Sequence, residues 1–407
     1  MNKLKNCLPV RLGVVTLIGS LALSSLCLSS VARVATSTPY SNRFDSPAGP
    51  PQSANPLQLS PAPEVSGFLI EEVGGIKNCR NATPEEALAL SESNEQLHPI
   101  TPAHHGAGTG GLSITLRGTQ QLENSPQAKA AFLAAAARWE SLIQTPISIV
   151  IDVDFGPNFF GHPFPPPVLG ATGTQSLIGS RIYDYVRDGL AAGASSVPEA
   201  RLYDLLPVGS IGTDIGHTTT MLSTSADFRA LGLISPIADP VGEMPFFGPP
   251  PRIGFNSSFP FDFDPGDGID VDKFDFDAVA AHEIGHVLGF ESNVGIKEIA
   301  PFFPTAPSVL DLFRFRGDVT LAMFGFADRI LSSGGEQVFF DGHQQLELST
   351  GRPDGSGGDG AQASHWKLIV VNPHQPPIGI MIPAIGPGER HVITRNDLEA
   401  LDTIGYR

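Results

Sequence analysis

Cysteine is scarce in this 407-residue chain: there are three, Cys7, Cys27 and Cys79. If an N-terminal leader is removed, Cys79 alone remains. That excludes an intramolecular disulfide scaffold and leaves stability to a packed core and to metal ions. Basic residues are also few, 25 Lys and Arg against 42 Asp and Glu, for a formal charge of −17. No nucleic-acid partner is expected, because such binding draws on a basic surface that displaces counterions. Charged residues make up only 16% of the chain, which suits an exported protein better than a cytosolic one. After the first apolar run no other reaches transmembrane length, and no internal repeat is visible. Glycine and proline, by contrast, are abundant at 44 and 37, so turns, loops and short strands should fill much of the chain. A hydrophobic content of 41% is enough for a real core.

Lys3, Lys5 and Arg11 precede an apolar run from Leu12 to Leu28, and Ser30-Val31-Ala32 fits a small-x-small cleavage site. Residues 1–32 are therefore expected to be a secretory signal peptide, and the mature protein to be secreted or periplasmic without stable membrane association. A retained N-terminal anchor is the alternative. A lipid anchor on Cys27 is disfavoured because Leu26 stands where a small residue is wanted. Residues 33–105 are rich in Pro, Ser and Asn and read as a low-complexity linker or propeptide. One helix is predicted inside them, where Thr83 can cap, Pro84 suits the first turn, and Glu85 and Glu86 follow. His104-His105 and the glycines after them read as a flexible joint.

The folded part divides into residues 106–290 and 291–407. Leu112–Leu116 alternates as a strand, Ser125–Ile143 has helical spacing with many alanines, and Ile147–Val153 is a second strand. The order strand, helix, strand implies an α+β fold with a twisted mixed sheet and a helix on one face. Residues 156–260 are loop-rich; Thr218–Met221 and Pro251–Asn256 are candidate strands for the edge along which an extended substrate lies. In the second part, a helix is predicted near Pro307–Phe313 and a hairpin joining Glu336–Phe340 to Gln345–Leu348 across Asp341-Gly342. A final helix follows Thr394, with Asp397 in its first turn.

The chemistry concentrates at His282-Glu283-Ile284-Gly285-His286. Residues i and i+4 share one helix face, so the two imidazoles can grip one zinc ion, while Glu283 can act as general base toward water. Phe274–Phe276 reads as a short strand leading into this helix, and Gly289 as a residue that ends or bends it. A catalytic zinc takes three protein ligands. Position 292, where an immediate third histidine would stand, is Ser292, and Glu291 faces away from the histidine pair. The third ligand must come from elsewhere. His365 follows a glycine-rich stretch, Gly351–Gly360, that can return the chain to the cleft; His343, His374 and His391 are the alternatives.

The pattern His282-Glu283-x-x-His286-x-x-Gly289-Phe290, followed by His365-Trp366 and Gly379-Ile380-Met381, resembles the metzincin clan and its leishmanolysin-like members. It also resembles a group of secreted bacterial proteases that share a Gly-Ile-Met segment and an Ile-Thr-x-x-Asp-Leu-x-Ala-Leu-Asp-x-Ile-Gly ending. Specific matches cover residues 270–295 and 360–405; Ile382 departs from the acidic residue common after the methionine. The resemblance implies a zincin fold with an active-site helix and a smaller C-terminal subdomain. It also implies zinc held by His282, His286 and His365, Glu283 as the catalytic base, and Met381 as a structural turn residue beneath the metal. The expected activity is that of a zinc metalloendopeptidase acting on protein or peptide substrates. The competing readings are a secreted binding protein that kept the fold without activity, a peptidase with a glutamate as third ligand, and a non-peptidase amidase.

Two further features are candidates for ions and regulation. Asp262, Asp264, Asp267 and Asp270 lie on a glycine-containing loop whose oxygens suit calcium; a solvated acidic turn is the other reading. Cys79 is a soft donor that can occupy the open zinc position of a latent precursor. Its surroundings, Lys77-Asn78-Cys79-Arg80-Asn81, lack the prolines of the matrixin cysteine switch, and an unpaired cysteine in a poorly ordered leader is the other reading.

Overall fold

Alternation along Ser113–Gly118 buries Ile114 and Leu116 on one side, and the helix Pro126–Leu142 packs over that face. Pro126 occupies its first turn, and Ala128, Ala131, Phe132, Ala135, Ala136 and Trp139 are buried, a stripe at helical spacing. This is the strand–helix–strand unit read from the sequence, completed by Ser148–Gly156. The computed structural model describes residues 63–73, 76–93, 95–100, 110–299, 301, 305–351, 357–368 and 377–407, all within one unit spanning residues 57–407. The expected leader, the His104-His105 joint and His374 lie outside the described residues. Among those described, no helix is long and apolar enough to cross a membrane.

The main sheet is built from β1 (Pro63–Val73), β2 (Ile76–Asn81), β3 (His98–Pro99), β4 (Ser113–Gly118), β5 (Ser148–Gly156), β6 (Val168–Gly179), β7 (Met221–Thr224), β8 (Arg252–Asn256) and β9 (Ala384–Ile385). Their order is β9-β2-β1-β6-β8-β5-β4-β3, with β7 paired to the far end of β6. Strands β4, β5 and β8 run parallel, and the remaining pairings are antiparallel. The fold is thus α+β with a mixed sheet. The helices that matter to the site are α1 (Pro84–Ser91), α2 (Pro126–Leu142), α3 (Phe276–Val287) and α4 (Arg395–Thr403).

Three expectations change here. Residues 63–100, expected to be a low-complexity linker or propeptide, are not low-complexity: they supply β1, β2 and β3 to the sheet and α1 beside it, as a propeptide can, and the capped helix within them forms as expected, with Thr83 and Glu86 in a reciprocal capping box. Arg252–Asn256 is not an edge but an interior strand between β5 and β6. Gly216–Thr218 pairs with Ile211–Thr213 in a separate hairpin. The strand facing the site is β6, whose run of Gly and Thr hides its strand character from any count of apolar residues.

The C-terminal part does not have a core of its own. Phe313, Phe315, Phe339 and Trp366 belong to the same buried cluster as Phe132, Trp139 and Ile284, so one core runs through both expected subdomains. The predicted hairpin forms between Val338–Phe340 and Gln345–Glu347, whereas the helix near Pro307 is a single 3₁₀ turn, Leu310–Phe313. A second, small cluster is separate: Leu69 and Leu90 pack on Phe159, Phe160, Val168 and Ala171.

Candidate metal centre

Helix α3 ends at the glycine expected from the sequence, but it starts at Phe276, inside the short strand expected over Phe274–Phe276, of which only Phe274–Asp275 forms. Asp275 caps it, accepting from the Ala278 N–H at 3.0 Å. At the other end Gly289 adopts φ +103°, the Gly289 N–H reaches His286 O at 3.0 Å, and the Phe290 N–H reaches Gly285 O at 3.1 Å. That is a Schellman ending, which needs the left-handed conformation glycine tolerates. Below the helix, Trp139 Nε1–H donates to Ala281 O at 2.8 Å, and Phe132 meets Phe276 edge-on at 5.0 Å. Gly285 faces Met381, whose sulfur leaves no room for a Cβ there.

Each of the three expected histidines is oriented by a backbone carbonyl. His282 Nδ1 bonds Ile380 O at 2.8 Å, His286 Nδ1 bonds Phe290 O at 2.8 Å, and His365 Nδ1 bonds Gln362 O at 2.9 Å. A carbonyl only accepts, so Nδ1 carries the proton in each ring and Nε2 presents a lone pair. Those lone pairs converge: His282 Nε2 lies 3.1 Å from both His286 Nε2 and His365 Nε2. Three acceptors face one another with no proton to share, an arrangement that a cation resolves. Zn–N bonds of about 2.0–2.1 Å at tetrahedral angles place nitrogens about 3.3 Å apart, so the spacing fits. Burial pushes His282 down to about 4 and holds His286 and His365 well below the ordinary histidine value. All three are therefore neutral at pH 7, as ligands must be.

The fourth donor is Cys79. Its sulfur and the three histidine nitrogens all lie within 4.8 Å of one another, and all four residues are buried. This group can hold a metal ion. Burial, and then the Glu283 carboxyl, push the thiol well above its ordinary value, with Arg80 opposing. Without a metal Cys79 is a thiol; a bound cation reverses that balance and favours the thiolate. Strand β2 presents it: the Cys79 N–H donates to Pro383 O at 2.9 Å, just beyond the Met381 turn.

Glu283 stands beside this group, 4.0 Å from His282 Nε2. One carboxylate oxygen accepts from Thr172 Oγ1 on β6 at 2.5 Å, and the other has no protein partner. Burial raises this carboxyl to about 7, with the Thr172 bond pulling the other way.

His365 is brought beside His282 and His286, as the glycine-rich stretch before it suggests, and bonds that the sequence does not reveal hold the returning chain. The Ser349 N–H bonds His365 O at 2.9 Å, and the Trp366 N–H bonds Met381 O at 2.8 Å. Asp397 of α4 collects the loop ends. It accepts from Trp366 Nε1 at 2.8 Å, the Ile380 N–H at 2.9 Å and the Thr394 N–H at 2.7 Å. Sequence reasoning places Asp397 only as a helix-start acid; the Trp following His365 is the one hint of its partner.

The other candidates fall elsewhere. His391 is buried near the site and pairs with Glu389 at 3.5 Å, and His343 sits in the hairpin turn; neither joins the donor group. Among the described residues no carboxylate joins it either, so a glutamate third ligand does not match the arrangement. The calcium loop is organised differently from a cation cage. Asp262 turns one oxygen to the Asp264 N–H and the other to the Asp270 N–H, each at 3.0 Å, Asp264 bonds the Gly266 N–H at 3.0 Å, and Asp270 pairs with Lys273 at 2.6 Å. Among the described residues, Asp262, Asp264, Asp267 and Asp270 do not converge as a metal-donor group.

Comparison of the chain with family models, with curated proteins and with solved structures gives no match.

Proposed function

We propose that this protein is an exported zinc metalloendopeptidase held in a blocked form. The observation that carries this reading is the convergence of three proton-free Nε2 atoms beside a buried glutamate with one unpartnered oxygen. His282, His286 and His365 would hold the ion, and Cys79 would fill its fourth position. Zinc in such a site supplies Lewis acidity to a scissile carbonyl and to water.

The chain's own residues do the rest. Glu283 takes a proton from the attacking water and passes it to the leaving amine. Burial keeps its carboxyl near neutrality, where it can both accept and release that proton. Thr172 fixes one oxygen and leaves the other for the water. The pocket beside the donors is lined by Ile70, Val279, Ile382, Ala384 and other mainly apolar residues, with no Lys or Arg among them. Such walls suit a peptide better than a phosphate ester. Cys79 must leave before water can enter, so residues 63–81 act as a latency element, consistent with the expected leader and propeptide.

The test measures zinc per chain and cleavage of casein or peptides after the chain is cut between residues 100 and 111. Wild type and Glu283→Gln should each bind about one zinc, and the variant should lose about 10²–10⁴-fold in turnover. Equal hydrolysis by the two proteins refutes the reading.

A further inference from the structure

Two carboxylates lie buried just beyond α3, and among the described residues neither has an ion-pair partner. Asp227 comes from the short helix Ser225–Ala230, and Glu291 from the turn that follows Gly289. They approach each other at that turn. Asp227 packs so closely on Gly289 that a Cβ there would overlap its carboxylate, and the Glu291 N–H bonds Gly289 O at 2.7 Å. After burial itself, the Asp227 charge is the main cause that raises the Glu291 carboxyl. The Arg229 guanidinium, two residues from Asp227, is committed to Glu243 and to Ser235 O. Asp227 Oδ1 and Glu291 Oε1 are buried without a hydrogen-bond partner.

Neutral oxygens surround the pair. Thr172, Thr174 and Ser176 share one face of β6. Thr172 serves Glu283, whereas Thr174 bonds Glu291, and Ser176 Oγ lies 3.2 Å from Thr174 Oγ1. From β7, Ser223 bonds the second oxygen of Asp227. Tyr406 points to the same place independently of the acids: its hydroxyl is buried with no partner, and the Asp227 charge acts on it. An unpaired carboxylate is costly to bury. Two of them together, with an orphaned hydroxyl and further hydroxyls beside them, match a hard divalent cation, which balances both charges and gives each free oxygen a partner.

We propose that Asp227 and Glu291 hold a calcium ion, with Tyr406, Ser223 and Thr174 supplying further oxygens. The ion ties the helix Ser225–Ala230 to the turn after α3. Phe290 of that turn orients His286 through its carbonyl, so calcium also steadies one wall of the histidine group. The two sites share no ligand, and this one does not depend on the peptidase reading.

The full chain, equilibrated in calcium-free buffer, is titrated with calcium chloride up to about 1 mM, the weak end of the range that calcium modules cover. Equilibrium dialysis counts the bound calcium, and the unfolding midpoint is followed in parallel. Wild type should take up about one calcium per chain, with a midpoint that rises with calcium concentration. Asp227→Asn and Glu291→Gln should each weaken uptake about tenfold or more. In calcium-free buffer at neutral pH both should melt at or above wild type, since each removes an unpaired buried acid; calcium should reverse that order. A residue that only packs gives no such crossover. Tyr406→Phe keeps the core filled and serves where an acid variant does not fold; it too should bind calcium more weakly. Asp270→Asn, in the acidic loop, should behave as wild type does. No uptake by wild type overturns the proposal, as does uptake undiminished in the folded variants or lost in Asp270→Asn.

Discussion

The backbone N–H of Ser292 donates to Ser364 Oγ at 2.7 Å. The position at which an immediate third histidine is missing thus anchors the residue next to His365, whose Nε2 meets that of His282. Ser292 Oγ in turn bonds Asp311 at 2.6 Å, tying the 3₁₀ turn Leu310–Phe313 to the chain just after α3. A returning loop gains a fixed address this way, and under the proposed zinc reading His365 needs one, because a ligand displaced by an ångström no longer serves an ion.

His365→Ala should lose most zinc at concentrations that saturate wild type, whereas His343→Ala, His374→Ala and His391→Ala should stay near one zinc per chain. Elemental analysis after dialysis against a weak chelator reads this directly. Full occupancy in the His365 variant would move the third ligand elsewhere.

Asp397 should matter without touching the metal. Its carboxylate holds Trp366, Ile380 and Thr394, and it is buried. Asp397→Ala leaves several buried donors unpaired and is expected to cost about 3 kcal/mol or more in urea unfolding. Zinc affinity should fall about 10- to 100-fold, the usual effect of losing a group that supports a ligand. Unchanged zinc affinity in a folded variant would show that the loops hold themselves.

Cys79→Ser should raise the activity of the uncut precursor, because the serine hydroxyl is a poorer zinc donor than a thiolate. The rise should remain below that of the cut protein, since β1 still fills the edge of β6 in the variant. Rates compared at matched zinc content give this order or contradict it; identical wild-type and Cys79→Ser precursors would remove the thiol from the latency mechanism.

Asp227 predicts a pH dependence of stability that is independent of the metal ligands. Burial raises its carboxyl to about 7, opposed by bonds from Ser223 and Thr224, and one of its oxygens has no partner. The folded protein then keeps a proton that the unfolded chain gives up near pH 4. Between those values the folded state binds more protons, so this residue's contribution to stability falls as pH rises from 4 to 7 and stays low above 7. The stability difference between wild type and Asp227→Asn should shift with pH in that window by an amount on the order of 3 kcal/mol, to wild type's disadvantage at higher pH. A difference that is flat from pH 4 to 8 would place the pKa elsewhere.

Helix α3 is legible from local signals. Two histidines four apart, a glutamate between them and a glycine at the end are all contained in residues 282–289, and each depends only on helix geometry; the Asp275 cap stands where the sequence reads as strand, and the fold revealed it. The α2 stripe, the strands around it, the hairpin at Asp341-Gly342 and the Thr394 helix start are readable for the same reason: their determinants lie within a few residues of one another. The α+β class follows from the order of these elements.

What tertiary structure alone decided is everything that depends on long chain returns. Sequence offers four distant histidines, and only the folded loop shows that His365 meets His282 and His286 while His391 stops nearby. It places Asp397 in a helix cap without revealing that the same carboxylate ties Trp366 to the methionine turn. It makes residues 33–105 look like a low-complexity stretch, because a strand such as Ser66-Gly67-Phe68-Leu69-Ile70 has little strand signal outside its partner. The physical reason is common to all three. A β-strand's backbone bonds and a metal's ligands are satisfied by residues from far along the chain, so their identity is written in no local pattern. The pairing of β1 with β6, and with it the delivery of Cys79 to three histidines more than 200 residues away in the sequence, comes into being only when the chain closes on itself.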